Sequence, residues 1–243
     1  MSKTLCTLLL TCFTLAAAHA GSPPTHHHPT PHWGHHHLIY PIHSRPFGKS
    51  IDAWAELEVQ WLYAQPFDHN PLIDMTGADC AVGQHGPVWF LPPIASSAPG
   101  NFSRSCSIPH GKAILLSMAF ASATWPCPDP TYAPAPGQSL HDFLLADAKS
   151  FFMFASLDVS LDGRPIRHAL RHHYASENLF AFKGDPSLQS TFDSCITTKY
   201  QADVVYGYFM MFRPLKRGMH TLVRRSVGPT GATNTFTYFL NVQ

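Results

Sequence analysis

Histidine side chains dominate the first part of the chain. The stretch "HHHPTPHWGHHHLIYPIH", residues 26–43, contains eight histidines among eighteen residues. Imidazole nitrogens are good ligands for Zn²⁺, Cu²⁺ and Ni²⁺, and a flexible chain can fold several of them around one ion without a preformed geometry. The pattern predicts a promiscuous, pH-dependent metal site; the alternative is a low-complexity segment with no ligand. The candidate ligands are His26, His27, His28, His32, His35, His36, His37 and His43.

A second group of histidines lies in "RHALRHHY". On a helix, His168 and His172 would share one face, with His173 beside them, and would hold a metal ion. On a strand the first two would stand about 13 Å apart, at about 3.3 Å per residue, which is too far for one ion. The neighbouring arginines favour a solvent-exposed sheet face, and such a face also fits an anion or a sugar. Tyr174 and Glu177 are adjacent polar candidates.

Enzyme signatures are absent from the sequence. It has no Gly-x-Ser-x-Gly elbow, no His-Glu-x-x-His helix and no P-loop. A metal-dependent enzyme would therefore need a pocket in which His110, His141, His168 or His220 meets a carboxylate. Without such a pocket the sequence favours a non-enzymatic role.

The first twenty residues are typical of a secretory signal peptide. "MSKTLCTLLLTCFTLAAAHA" has one lysine, a short apolar run and small residues before the predicted cleavage point. Cleavage after Ala20 or after Ala18 satisfies the small-x-small rule, and the second would leave His19 as a terminal copper ligand. No later segment is apolar for long enough to span a membrane as a helix. The predicted location is extracellular or periplasmic.

Cysteine usage agrees with secretion. Two of the six cysteines lie in the signal peptide, so four remain in the mature chain, and none of them has a zinc-ribbon or redox spacing. An even number in an oxidising compartment predicts two disulfides. Sequence leaves three pairings open, and we favour Cys80–Cys106 with Cys127–Cys195.

Charge excludes one class of partner. Without Lys3 the chain carries 15 basic and 15 acidic side chains, so it has no basic stripe for nucleic acid. Seventeen histidines would make it strongly cationic in acid. Hydrophobic residues reach 45% of the chain, which is enough for a large core.

The periodicity of apolar residues predicts the domain organisation. Residues 21–49 lack apolar periodicity and are predicted to be a disordered His/Pro-rich extension, followed by a globular domain over residues 50–243. Helices are expected over residues 51–64, with Ser50 as N-cap, and over 140–150.

The remainder of the domain is predicted to be strands. Asp162-Gly163 indicates a hairpin, and turns at Pro109–Gly111 and Pro214–Gly218 separate further strands. These signals predict a mainly β fold: an antiparallel β-sandwich, jelly-roll or Ig-like, with one or two helices.

Several short blocks resemble a known group of proteins. "NPLIDMTGADCAVGQHGPVWFLPP", "RSCSIPHGKAILLS" and "FMMFRPLKRGMHTL" are similar to blocks of uncharacterised, mostly microbial secreted proteins. The resemblance spans roughly residues 54–243 and implies one extracellular β-rich domain. It implies no activity and no catalytic residues, and the His-rich extension lies outside it.

The combined signals predict a secreted, non-enzymatic binding protein whose extension captures Zn²⁺, Cu²⁺ or Ni²⁺ or responds to acid. Two alternatives stay open. An effector or adhesin-like module would bind a host, glycan or surface ligand through the β domain. A metal-dependent extracellular enzyme would use zinc or copper in the fold.

Overall fold

A computed structural model describes residues 38–95, 98–151 and 154–243. Strands make up 38% of the structure and helices 19%, so the predicted mainly β class is confirmed. The helices in these ranges are α1 (Ile51–Tyr63), α2 (Leu140–Ser150) and α3 (Pro186–Thr191). Among the described residues, no helix is both long and apolar enough to cross a membrane.

Within the described ranges, ten strands form two five-stranded sheets. They are β1 (Val88–Leu91), β2 (Gly100–Ile108), β3 (Ala113–Trp125), β4 (Ser156–Leu161), β5 (Arg164–Ile166), β6 (His173–Ala175), β7 (Phe180–Lys183), β8 (Tyr200–Phe212), β9 (Gly218–Val227) and β10 (Thr233–Val242). Sheet A has the order β1-β3-β8-β6, with β7 also paired to β8. Sheet B has the order β2-β10-β9-β4-β5.

Both sheets are mixed, whereas the sequence predicted antiparallel sheets. β1 runs parallel to β3, and β2 runs parallel to β10. The reason is that the chain changes sheets at the turn Pro109–Gly111, and again between β8 and β9 at the turn Pro214–Gly218. At these two turns, strands that follow one another in sequence therefore lie in different sheets, and each of the two parallel pairs joins strands that are not connected by a hairpin.

Sheet A is covered on both faces. On one face Ile114, Leu116 and Met118 belong to an apolar cluster that includes residues from both sheets. On the other face Leu115 packs in a second cluster, with α1. Because both faces of β3 are buried, its sequence is an almost unbroken apolar run, as is typical of strands in parallel sheets that are covered on both faces. Sheet B alternates buried and exposed residues along β2 and has one solvent face.

The predicted helices and hairpin are confirmed. α1 follows Ser50, and its buried stripe includes Ile51 and Trp54 at helical spacing. α2 is capped by Ser139, whose hydroxyl accepts from the backbone nitrogen of Asp142 at 3.0 Å. β4 and β5 form the predicted hairpin, with Asp162 and Gly163 both at positive φ. α3 was not predicted, because six residues are too few for a periodic signal.

Two disulfides close loops of the domain in the favoured pairing. Cys80 is bonded to Cys106, with Cα atoms 5.7 Å apart, and Cys127 is bonded to Cys195, with Cα atoms 4.4 Å apart. The first joins the loop before β1 to β2. The second joins the segment after β3 to the segment before β8.

Part of the predicted extension belongs to the fold. Ile39 forms a β-bridge with Phe212, and the backbone nitrogen of Arg213 donates to the carbonyl of Leu38 at 2.9 Å. The Arg213 guanidinium also lies 4.3 Å from the centre of the Tyr40 ring. The chain is thus tied to β8 from its first described residue. The predicted signal peptide, and residues 21–37, lie outside the described residues.

Candidate functional site

One predicted metal ligand of the extension is placed by the structure. His43 is exposed in the segment between the Ile39 bridge and α1. The other seven lie outside the described residues: His26, His27, His28, His32, His35, His36 and His37.

His43 lines a cleft of about 310 Å³ together with a second predicted ligand, His173. Asp52 and Glu177 supply carboxylates to the same cleft, and Arg45 supplies one opposing positive charge. We name this site the histidine cleft. Its complete lining is Ile42, His43, Ser44, Arg45, Ser50, Asp52, His173, Tyr174, Ala175 and Glu177.

Three elements build the histidine cleft. The segment of His43 is held against β6 by the Tyr174 hydroxyl, which donates to the carbonyl of Ile42 at 3.2 Å. It is held against α1 by the indole of Trp54, which donates to the carbonyl of Pro46 at 2.9 Å. His43 and His173, which are 130 positions apart in sequence, therefore meet at one site.

Negative charge is concentrated behind this cleft. Burial raises the pKa of Glu56, a hydrogen bond with Ser176 lowers it, and repulsion from Asp52 and Glu177 raises it further. The net pKa of Glu56 is above its usual value. A cation bound in the histidine cleft would relieve this repulsion.

His168, His172 and His173 have three different environments. His168 is exposed and has a left-handed backbone, with φ of +64°. His172 is only 5% exposed, and burial lowers its pKa to about 4. The ring of His173 packs edge-on against Tyr206 and Tyr208, with centroids 4.6 and 5.3 Å away.

The segment of these histidines is neither the helix nor the continuous strand considered from sequence. A 3-10 turn, Ala169–Arg171, separates His168 from His172 and is followed by β6. Of the three, only His173 faces the histidine cleft. Across the described ranges, no three His, Cys, Asp or Glu side chains are already placed to hold a metal ion.

Two histidines considered for an enzyme lie beside a carboxylate. Nδ1 of His141 lies 3.6 Å from Oδ1 of the adjacent Asp142, and its Nε2 lies 2.9 Å from the carbonyl oxygen of Ser176. The closer pair is formed by His220. Nδ1 of His220 lies 2.8 Å from Oδ2 of Asp162, and Nε2 lies 2.9 Å from the carbonyl oxygen of Lys216. Burial lowers the pKa of His220, but these two acceptors outweigh it and the pKa is raised. Because both ring nitrogens already have acceptors, this pair locks the β4–β5 hairpin to β9 rather than offering a free base.

A second cleft, of about 360 Å³, is lined by residues of β3 in sheet A and of β9 and β10 in sheet B, and we name it the inter-sheet cleft. Its base includes Arg224 of β9, whose side chain is 5% exposed. The lining residues are Tyr63, Leu72, Pro93, Ile94, Ala95, Ala119, Phe120, Ala121, Ser122, Phe151, Phe192, Asp193, Arg224, Asn234 and Phe236.

A β-bulge explains part of the Arg224 position. The pairing of β3 with β8 shifts between Ser117 and Ala119, which makes Met118 the extra residue. Nε of Arg224 donates to the Met118 carbonyl, and Nη1 donates to the Ser226 hydroxyl at 3.0 Å. The guanidinium carbon also lies 4.4 Å from the centre of the Phe236 ring.

Sequence reasoning did not single out Arg224, although the pattern held a signal. In "TLVRRSV" a period of two places Leu222, Arg224 and Ser226 on one face, and all three are buried. Two adjacent arginines, Arg224 and Arg225, instead favour a solvent-exposed segment. The available indication was that Arg224 lies two residues from Leu222 and two from Ser226, and therefore on the same face of the strand.

Comparisons with known proteins give no relative of defined function. No protein-family model and no curated protein matches the chain. The fold has low similarity to the structure of PbICP-C in complex with falcipain-2, at 12% identity over 65% of this chain and 100% of that chain, with a TM-score of 0.25. For the solution structure of Amebosin the identity is again 12%, over 65% of this chain and 100% of that one, with a TM-score of 0.23. Likenesses at these TM-scores carry no argument, and the resemblance to uncharacterised secreted proteins stays a prediction.

Proposed function

We propose that this protein is a secreted, non-enzymatic binding protein that captures Zn²⁺, Cu²⁺ or Ni²⁺ through its His-rich segment and releases the ion in acid. The observation that carries the proposal is the density of imidazoles between His26 and His43, the last of which lines a cleft with His173 and two carboxylates. Imidazole and carboxylate together form a common ligand set for zinc.

The histidine cleft supports the proposal through its charge. Asp52 and Glu177 both repel Glu56, so a divalent cation nearby is favourable. A segment attached at this cleft would also meet His43 and His173 at a high effective concentration. We infer that the segment supplies most ligands and that the cleft supplies one or two.

Release in acid follows from the chemistry of imidazole. A metal-bound imidazole must be deprotonated, and its usual pKa of about 6.5 places the competition between protons and metal in the mildly acidic range. Affinity should therefore fall steeply between about pH 7 and about pH 5.

Two features support export. The leader-like first twenty residues are typical of secretory proteins. The cysteine pairs Cys80–Cys106 and Cys127–Cys195 fit disulfides, which persist in oxidising compartments.

The test is a calorimetric titration of Zn²⁺ and of Cu²⁺ into the full mature chain and into three variants. The first replaces the seven histidines from His26 to His37 with asparagine; the second is His43→Asn; the third, His85→Asn, changes an exposed histidine outside the histidine cleft. We expect the first to weaken binding at least tenfold, the second by a few fold and the third not at all, because each lost imidazole removes one ligand.

The opposite pattern would refute the proposal. Unchanged affinity in the seven-histidine variant would place the ligands inside the fold and favour the metalloenzyme alternative. Absence of measurable binding in the unaltered chain would favour a surface-binding module without metal.

A further inference from the structure

The inter-sheet cleft contains a buried positive charge that has no counter-ion among the described residues. In the described part of the chain, no carboxylate forms a salt bridge with Arg224. Burial lowers the pKa of Arg224 to about 10, so the guanidinium stays charged at neutral pH. A buried charge without a partner is costly, and an anion that reached it would offset that cost.

Part of the guanidinium is available to a ligand. Nε and Nη1 donate to Met118 and Ser226, while Nη2 donates to no acceptor among the described residues. Because Arg224 lines the inter-sheet cleft, Nη2 is the guanidinium nitrogen left for a ligand there. Two of the three guanidinium nitrogens are thus held by protein acceptors, and the third, Nη2, is not held by any described residue.

Further residues with hydrogen-bond donors line the same cleft. Oδ1 of Asn234 accepts from the backbone nitrogen of Gly100 at 2.9 Å. The side-chain nitrogen Nδ2 of Asn234 takes no part in this bond and can donate to another group. The hydroxyls of Tyr63 and Ser122 lie 2.5 Å apart and share one hydrogen bond, so one hydroxyl hydrogen remains to donate. These polar groups favour a ligand with acceptor oxygens.

The rest of the cleft is apolar. Phenylalanine rings contribute from four different parts of the chain, including Phe120 of β3 and Phe236 of β10. At the mouth, Phe151 is 68% exposed and Phe192 is 39% exposed. Exposed rings around a concave site are typical of apolar ligand binding.

We propose that the inter-sheet cleft binds a small apolar monocarboxylate, with its carboxylate on Arg224 and its hydrocarbon body between the phenylalanine rings. This site uses no histidine and lies beyond the metal capture proposed above. Asp193 is the one acidic residue of the lining; it is exposed at the rim, and its Oδ1 already accepts from the backbone nitrogen of Cys195 at 2.8 Å. It disfavours a second negative charge on the ligand.

The experiment compares naphthoate with its neutral amide, naphthamide, by calorimetric titration into the full chain. We expect naphthoate to bind with one site per chain, about 10- to 100-fold more tightly than naphthamide, because a charge-assisted hydrogen bond is lost in the amide. Replacing Arg224 would also disturb the bulge at Met118, so the variant is placed at the rim. Phe151→Glu introduces a negative charge at the mouth and should weaken naphthoate more than naphthamide.

Met219→Glu is the matched control. Met219 is also 68% exposed, but it lies on β9 outside the lining of the inter-sheet cleft, so this change should affect neither ligand. Absence of naphthoate binding would overturn the proposal. Equal affinity for the two ligands, or equal effects of the two glutamate variants, would overturn it as well.

Discussion

Replacement of Glu58 by glutamine should flatten the pH dependence of stability. Glu58 lies on the inward stripe of α1 and has no exposed area. The Ser117 hydroxyl donates to Oε2, while Oε1 has no partner among the described residues. Burial raises the pKa of Glu58 to about 8, although the Ser117 hydrogen bond lowers it, so the folded protein holds this carboxyl protonated at neutral pH.

The magnitude follows from linkage. The ordinary pKa is 4.5, so between that value and about 8 the unfolded chain has released a proton that the folded chain keeps. Stability from Glu58 is therefore fully present below pH 4.5 and is lost as pH rises towards 8. At about 1.4 kcal/mol per pH unit, this carboxyl alone should remove about 3 kcal/mol of unfolding free energy between about pH 5 and about pH 7.

Urea unfolding at those two pH values measures the effect. The amide of Glu58→Gln mimics the protonated acid, so the variant should lose about 3 kcal/mol less than the unaltered protein between them. Asp203, also buried with a raised pKa, contributes equally to both proteins and cancels in the difference. Asp158→Asn, which changes an exposed carboxylate, should behave like the unaltered protein. Parallel pH profiles for Glu58→Gln and the unaltered protein would refute the reasoning.

Three further perturbations test other parts of the structure. Because burial lowers the pKa of His172 from 6.5 to about 4, the domain should lose about 3 kcal/mol as pH falls through that window, and His172→Leu should lose much less in urea titrations. Joint replacement of Cys127 and Cys195 by serine opens a link across a sequence separation of 68, and it should lower the unfolding free energy by about 4 kcal/mol; a smaller change than about 1 kcal/mol would contradict the pairing. Gly207→Ala would place a Cβ atom 2.7 Å from Cα of Phe120, so thermal unfolding should show a loss of about 1–3 kcal/mol, and unchanged stability would contradict the packing of β3 against β8.

Local signals in the sequence predicted the elements that local physics determines. Ser139 and Asp142 mark the start of α2, and α1 is marked by the helical spacing of Trp54, Leu57, Trp61 and Leu62. Asp162-Gly163 predicted its hairpin because few residues tolerate two successive positive φ angles. These features need only neighbours within a few positions, so the sequence contains the necessary information.

Long-range pairing was not predictable in the same way. Val88 pairs with Ala113, and Gly100 pairs with Asn234, a partner more than 130 residues away. Apolar alternation shows that a residue faces a core, but it does not show which strand lies beside it. The sandwich type, jelly-roll or Ig-like, stays a prediction for the same reason.

The sites show a similar division. His43 and His173 were both candidates from composition, but their meeting at one cleft depends on the contact of Ile42 with Tyr174. The period of two in "TLVRRSV" indicated an inward position for Arg224, but only the fold shows that it lines the inter-sheet cleft. The residue type thus indicates what a side chain can bind, whereas only the fold shows which of these side chains lie together.

The most direct test of metal capture is X-ray absorption of the zinc-loaded full chain near pH 7. Capture by the His-rich segment predicts nitrogen and oxygen ligands at about 2.0–2.1 Å with the multiple scattering of several imidazoles. It also predicts that this signal is lost near pH 5, where imidazole binds protons instead. A shell of oxygen ligands without imidazole scattering near pH 7, or an imidazole shell unchanged in the seven-histidine variant, would contradict the proposed function.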